Sequence, residues 1–237
     1  MYFTGMWNII LTYLKDFINL LYPSICYACG NHLYDGEEHI CISCRMSLPY
    51  TFDEYILKNN TKKVFDGRVR ISAASSLFYF QKKSKVQNLL HYLKYKGSEE
   101  VGIVLGEMHG QQLLQSELFS GIDIILPIPL HPKKLKIRGY NQSLLLAKGY
   151  AKAMQIECKE KILIRTFDTS SQTRKSRYER AENMKEVFEC IKIEEVKDKN
   201  ILLVDDVITT GSTIASCAEI LIKSGCSGVW VASIAVA

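Results

Sequence analysis

Residues 201 to 213 read ILLVDDVITTGST: an apolar run, the acidic pair Asp205-Asp206, and a turn of hydroxyl-bearing residues around Gly211. The order predicts a buried strand over 200–204, ending in the acidic pair, and a helix over 213–223 entered through the turn. A helix start offers unpaired backbone N–H groups and the positive end of its dipole, which suit a dianionic phosphate. Thr209, Thr210, Ser212 and Thr213 add hydroxyl donors, and Gly211 lets the backbone come close. Two carboxylates accept from a pair of vicinal hydroxyls. Ribose 5-phosphate carries both features, and ligands of open α/β sheets sit outside the carboxyl ends of the strands. Three other readings compete. A receiver domain would place an acidic pair after its first strand, whereas this one follows a fourth or fifth. A nucleoside triphosphatase needs a Gly-Lys phosphate loop, and the chain has no Gly-Lys dipeptide. Ordinary helix capping by Ser or Thr remains as the bland alternative.

Outward from this stretch the pattern alternates. Strands are expected over about 69–80, 122–128, 161–164 and 228–236, and helices over 84–95, from a Ser98 cap through Met108, and over 142–154. Gly97 stops the first of these helices, and Gly110 ends or kinks the second. Strands that are apolar throughout, interleaved with helices, indicate an α/β fold with a parallel sheet covered on both faces.

Two further segments carry cations. Pro127-Ile128-Pro129-Leu130-His131 ends a buried strand and runs into Lys133, Lys134, Lys136 and Arg138 before Gly139-Tyr140-Asn141-Gln142. A proline-stiffened turn with four cations can receive a diphosphate, and a solvated basic loop is the alternative. The polar interval 168–185 holds Gln172, Thr173, Arg174, Arg177, Arg180 and Asn183. Arginine suits bidentate phosphate contact, and so long an interval within a compact domain is usually functional or mobile.

Of eight cysteines, four form two tight pairs, Cys26-x-x-Cys29 and Cys41-x-x-Cys44. That spacing fits a closed four-thiolate zinc site that staples a turn-rich minidomain, with no open position for catalysis. Cys158, Cys190, Cys217 and Cys226 are expected as small apolar core residues. The formal charge of +5 permits phosphate-rich partners without amounting to a nucleic-acid footprint. Residues 1–22 place Asn8, Thr12, Lys15, Asp16 and Asn19 on one helical stripe, which reads as an amphipathic helix packed on the protein or a partner. Peripheral contact with a membrane is the second option, and a secretory leader is not indicated.

From about Leu21 to Ala237 the chain resembles the ComF family of competence-associated proteins, within the type I phosphoribosyltransferase superfamily. The resemblance rests on ILLVDDVITTGST, on PIPLHP followed by a basic run and RGYNQS, on QTRKSRYERAEN, and on the cysteine quartet. It implies a type I phosphoribosyltransferase-like sheet at 69–237, a zinc minidomain at 23–50 and an N-terminal helix at 1–22. In that family's pattern Asp205 and Asp206 hold the ribose hydroxyls and Thr209, Thr210, Gly211, Ser212 and Thr213 hold the 5-phosphate of 5-phosphoribosyl 1-diphosphate. Pro129, Leu130, His131, Lys133, Arg138, Arg174, Arg177 and Arg180 would meet the Mg2+-bound diphosphate, with Arg174 and Arg177 counted with the acidic pair as catalytic. The resemblance implies a cytoplasmic protein, with the inner face of the membrane as a further location. It implies a role in DNA uptake, either as an enzyme or as a catalytically silent ligand sensor or single-stranded-DNA binder working with the competence machinery. An adaptor built on the zinc minidomain is a third alternative. Residues 1–100 contain no recognisable base-reading set, so the acceptor stays open.

Overall fold

The computed structural model describes residues 23–95, 99–167 and 186–237. The expected N-terminal helix, the Gly97 stop, the Ser98 cap and the arginine-rich interval lie outside the described residues. The strands are β1 (Ala74–Tyr79), β2 (Ile124–Pro127), β3 (Glu157–Cys158), β4 (Leu163–Phe167), β5 (Glu186–Cys190), β6 (Asn200–Ile208) and β7 (Gly228–Val236). The helices are α1 (Ile42–Ser47), α2 (Asn60–Lys63), α3 (Lys85–Tyr95), α4 (Glu99–Leu114), α5 (Pro132–Arg138), α6 (Gln142–Met154) and α7 (Ser212–Lys223).

Five strands form one parallel sheet in the order β1-β7-β6-β2-β3. Because side chains alternate along a strand, β6 feeds both faces. Leu202 and Val204 enter the cluster with α3, α4 and α6, while Ile201 and Leu203 enter the one containing Ile214, Cys217 and Leu221 of α7. The expected α/β architecture with helices on both faces is therefore present.

Several details differ from the sequence expectation. β6 continues four residues past Val204, pairing Asp205 with Ser233 and Ile208 with Val236 on β7, so the acidic pair lies within a strand and not beyond its end. The segment expected as a short strand of the parallel sheet at 161–164 instead leads into β4, which pairs antiparallel with β5, and the parallel edge is the two-residue β3. One strand occupies the 69–80 region, because Val69 to Ala73 precede β1 as irregular chain. Helix α4 runs through Gly110 to Leu114 without a break. Its buried face is Val101, Gly102, Leu105, Gly106, His109, Gly110 and Leu113, while Val104 and Met108 are only half-buried. The glycines are explained by the approach of α6. A Cβ on Gly106 would lie 2.2 Å from the Leu146 carbonyl, and one on Gly149 would lie 2.2 Å from that of Ile103. Backbone meets backbone here, so a methyl group at either position forces the helices apart.

The minidomain shares the main core. Cys26, Ala28, Ile40, Cys44 and Leu48 pack in the same apolar cluster as α3, α4 and α6. The Tyr27 and Tyr92 rings lie 4.7 Å apart, and Asn88 Nδ2 donates to the Ala28 carbonyl at 2.8 Å.

A buried polar network runs behind β1. Thr61 Oγ1 donates to Asp53 Oδ2 and lies 2.9 Å from Ser76 Oγ, which lies 2.7 Å from Ser233 Oγ. Ser75 Oγ lies 2.9 Å from His109 Nε2, whose ring Nδ1 meets the Tyr150 hydroxyl. Burial holds His109 down to about 3, so its ring is neutral. No described helix is long and apolar enough to cross a membrane.

Candidate functional site

Parallel strands present their carboxyl ends at one edge, and β6 is long enough to carry its acidic pair past the end of β2 at Pro127. Asp205 Oδ1 accepts from Ser143 Oγ at 2.8 Å and from the Asp206 backbone N–H at 2.9 Å. Asp206 Oδ2 lies 2.8 Å from Lys94 Nζ, with both side chains largely covered. Burial, then the adjacent Asp206 carboxylate, push Asp205 up to about 7, against the stabilising Ser143 hydroxyl, the Asp206 amide and Lys94.

Ser143 reaches Asp205 because of how α6 begins. Asn141 is its N-cap, accepting from the Ser143 N–H at 3.1 Å, and Asn141 Nδ2 donates to the Ile128 carbonyl at 3.0 Å. The side chain thus ties the helix start to the end of β2.

On one side of the acidic pair, a small cavity of about 60 Å³ is lined by Asp205 and by 207–214. Gly211 is the N-cap of α7 in the left-handed region (φ 67°) and supplies no side-chain cap. The first-turn N–H groups of the helix are left to a ligand or solvent. The expected close approach at Gly211 is also to the protein: an added Cβ would lie 2.6 Å from Val64 Cγ1 and 3.0 Å from Phe65 Cε1. Arg68 Nη1 donates to the Thr210 carbonyl at 2.5 Å, and Thr210 Oγ1 lies 3.1 Å from Ser212 Oγ.

On the other side, a cavity of about 190 Å³ is walled by Lys94, Ile128, Pro129, Leu130, Lys134, Arg138, Gln142, Ser143, Arg165, Asp205, Asp206 and Thr213. Four cations face two carboxylates, so the space suits an anion held against an acidic floor. Pro129, Leu130 and Arg138 of the expected diphosphate set line this cavity; His131 and Lys133 do not. The basic run is helix α5 and not an open loop, because Pro132 stands at its N1 position and Gly139 (φ 82°) closes it. His131 caps that helix, its Nδ1 accepting from the Lys133 N–H at 3.0 Å. Arg138 stacks over the Tyr95 ring at 5.3 Å. Arg174, Arg177 and Arg180 lie outside the described residues.

Lys94, Ser143, Gln142, Arg165 and Arg68 were not identified from sequence. Ser143 and Gln142 stand inside the RGYNQS motif; Lys94, Arg165 and Arg68 carry no local signal, since only the fold brings Lys94 and Arg165 to the acidic-pair cavity and Arg68 to the Thr210 carbonyl.

The cysteine quartet converges as its spacing indicates. The Sγ atoms of Cys26, Cys29, Cys41 and Cys44 all lie within 4.8 Å of one another. A tetrahedral site with Zn–S bonds of about 2.3 Å has sulfur atoms about 3.8 Å apart; Cys29 and Cys41 are 4.0 Å apart. Burial opposes ionisation of Cys26, yet the backbone N–H groups of Cys41, Cys29 and Ala28 together bring it down to about 7. The remaining cysteines depart in part from expectation: Cys217 is fully buried, but Cys158, Cys190 and Cys226 are half-buried.

The family described as phosphoribosyl transferase domain matches residues 141–237, which span α6 to β7 and contain Ser143, the acidic pair and the Gly211 turn. DNA utilization protein YhgH of Escherichia coli (strain K12) is 31% identical over 147 residues, covering 60% of this chain and 63% of that protein. Competence protein F of Haemophilus influenzae is 35% identical over 104 residues, 44% of this chain and 45% of that protein. Competence protein ComFC of Bacillus subtilis (strain 168) is 27% identical over 219 residues, 85% of this chain and 79% of that protein. The match to YhgH thus spans less than two thirds of that protein's length. A parallel sheet whose carboxyl edge carries an acidic pair and a helix-start turn defines a phosphoribosyltransferase-type domain. These relatives are in keeping with the resemblance to the ComF family drawn from the sequence.

Proposed function

We propose that the chain binds 5-phosphoribosyl 1-diphosphate with Mg2+ at the carboxyl edge of β6 and acts in DNA uptake. The observation that carries this reading is the position of Asp205 and Asp206 between two cavities, one formed by the α7 start and one lined by Lys94, Lys134, Arg138 and Arg165. In this reading the Gly211 turn takes the 5-phosphate and the carboxylates accept from the ribose hydroxyls. The cation-lined cavity takes the diphosphate. Mg2+ neutralises diphosphate charge when bound. Ser143 orients Asp205. Lys94 offsets Asp206 and the anion beside it. In a transfer reaction the C1–diphosphate bond breaks with its electrons leaving on diphosphate, and an acceptor nucleophile bonds to C1 and loses its proton. Pro129 and Leu130 wall the same cavity; His131, Lys133, Arg174, Arg177 and Arg180 belong to the proposed diphosphate set by the family resemblance alone.

The quartet Cys26, Cys29, Cys41 and Cys44 would hold structural zinc, stapling residues 23–50 to α3. A four-thiolate zinc site and an intracellular sugar phosphate ligand would both suit a cytoplasmic location.

Titration of the magnesium complex of 5-phosphoribosyl 1-diphosphate into wild type and an Asp205→Asn/Asp206→Asn variant tests the reading. The variant is expected to bind at least about a hundredfold more weakly; equal affinity overturns the assignment. A second reading, single-strand binding without transfer chemistry, is favoured by the relatives called DNA utilization and competence proteins. It requires affinity for single-stranded DNA that falls with salt.

A further inference from the structure

Gln142 is the first residue of α6, is 2% exposed, and forms part of the wall of the cavity containing Asp205 and Asp206. Its Nε2 finds no acceptor among the described residues. A buried amide donor is normally paired, because leaving it unpaired forfeits its bonds to water. Its neighbours are engaged elsewhere: the Asn141 side chain accepts from the Ser143 N–H, and the Ser143 hydroxyl donates to Asp205. The amide therefore stands without an acceptor among the described residues, at a helix start whose dipole favours an anion.

We infer that Gln142 is a ligand-contact residue whose carboxamide donates to a diphosphate oxygen, so that it discriminates diphosphate-bearing sugars from plain ribose 5-phosphate. The inference rests on the reading of the acidic pair given above. Its direction comes from the division of the site. Gln142 lines the cavity with Lys94, Lys134, Arg138 and Arg165, and is absent from the small cavity formed by the Gly211 turn. A donor there meets the leaving group and not the 5-phosphate.

The test compares wild type with Gln142→Met, which keeps the volume and removes the donor. Three probes are titrated calorimetrically: magnesium 5-phosphoribosyl 1-diphosphate, inorganic diphosphate and ribose 5-phosphate. Affinity for the first two is expected to fall about tenfold or more, as for loss of a hydrogen bond to a charged acceptor, with ribose 5-phosphate unchanged within about twofold. The ligand-free melting temperature should stay equal or rise, since an unpaired buried donor is removed. Equal weakening of all three probes, no weakening, or a lowered melting temperature overturns the inference alone. A wild type that binds none of the probes overturns the underlying reading, and this inference with it.

Discussion

Asp53-Glu54 and Asp205-Asp206 are both adjacent carboxylate pairs, yet the fold treats them in opposite ways. Asp53 and Glu54 are 2% and 1% exposed and are enclosed by the protein's own hydroxyls and amides. Thr61 donates to Asp53, Ser75 Oγ lies 3.4 Å from Glu54 Oε2, and Asn59 and Ser116 donate to the backbone carbonyls of the pair. Burial raises both acids, which favours their neutral forms. Asp205 and Asp206 face a cavity shared with cations. The contrast teaches that paired carboxylates make a site only where the chain leaves their surroundings open to an outside partner. Where the chain closes around them, the oxygens that are engaged accept from internal donors, and Glu54 Oε1 has no donor among the described residues.

The largest expected effect sharpens that contrast. The Asp205→Asn/Asp206→Asn variant should lose ligand affinity by about two orders of magnitude while melting no lower than wild type. The corresponding change at the enclosed pair is Thr61→Val, which removes the hydroxyl that donates to Asp53. It should cost about 1–3 kcal/mol in urea unfolding, because a buried acceptor loses its donor, with ligand affinity kept within about threefold. A reversal, in which Thr61→Val affects binding and the double variant affects folding, would break the comparison.

The next effect is in pH. Asp205 ionises near 7 in the folded protein, against about 3.9 for an unperturbed Asp. Its contribution to stability is therefore greatest below the unfolded value and is lost as pH rises towards 7. Ligand affinity runs the other way, since the ribose hydroxyls need the ionised carboxylate. Affinity for the magnesium complex should climb severalfold between about pH 6 and 8, and Asp205→Asn should flatten the profile. The smallest effect belongs to Ser143→Ala, which removes one donor to Asp205. Stability should change by about 1 kcal/mol or less, and the midpoint of the affinity profile should move to higher pH; a downward move would contradict the assigned donor.

How far the sequence could be read depended on whether a feature was local. Helix α6 and strand β7 match their expected bounds at 142–154 and 228–236, because apolar period and flanking turn residues coincide there. The acidic pair and Gly211 turn were visible for the same reason. Strand β3 leaves no trace because two residues carry no period, and the cations of 132–138 mask a helix with Pro132 and Gly139 at its ends. Gly110 looked like a helix stop, since the reason for it lies on α6, in Tyr150 and Ala153. Lys94 reaches Asp206 across a separation that no window of sequence spans.

The crossing of α4 and α6 has a bearing on how variants of this protein would be sorted. Gly106 and Gly149 leave no clearance for a single carbon, and Gly149 lies on the helix whose first turn holds Gln142 and Ser143. There is no graded series of tolerated side chains at either glycine. In a saturation screen scored only by function, they would therefore score as harshly as Asp205, although neither glycine lines the acidic-pair cavity. Growth at reduced temperature would separate the two classes: glycine variants should be partly rescued as the misfit is tolerated, and Asp205 variants should not.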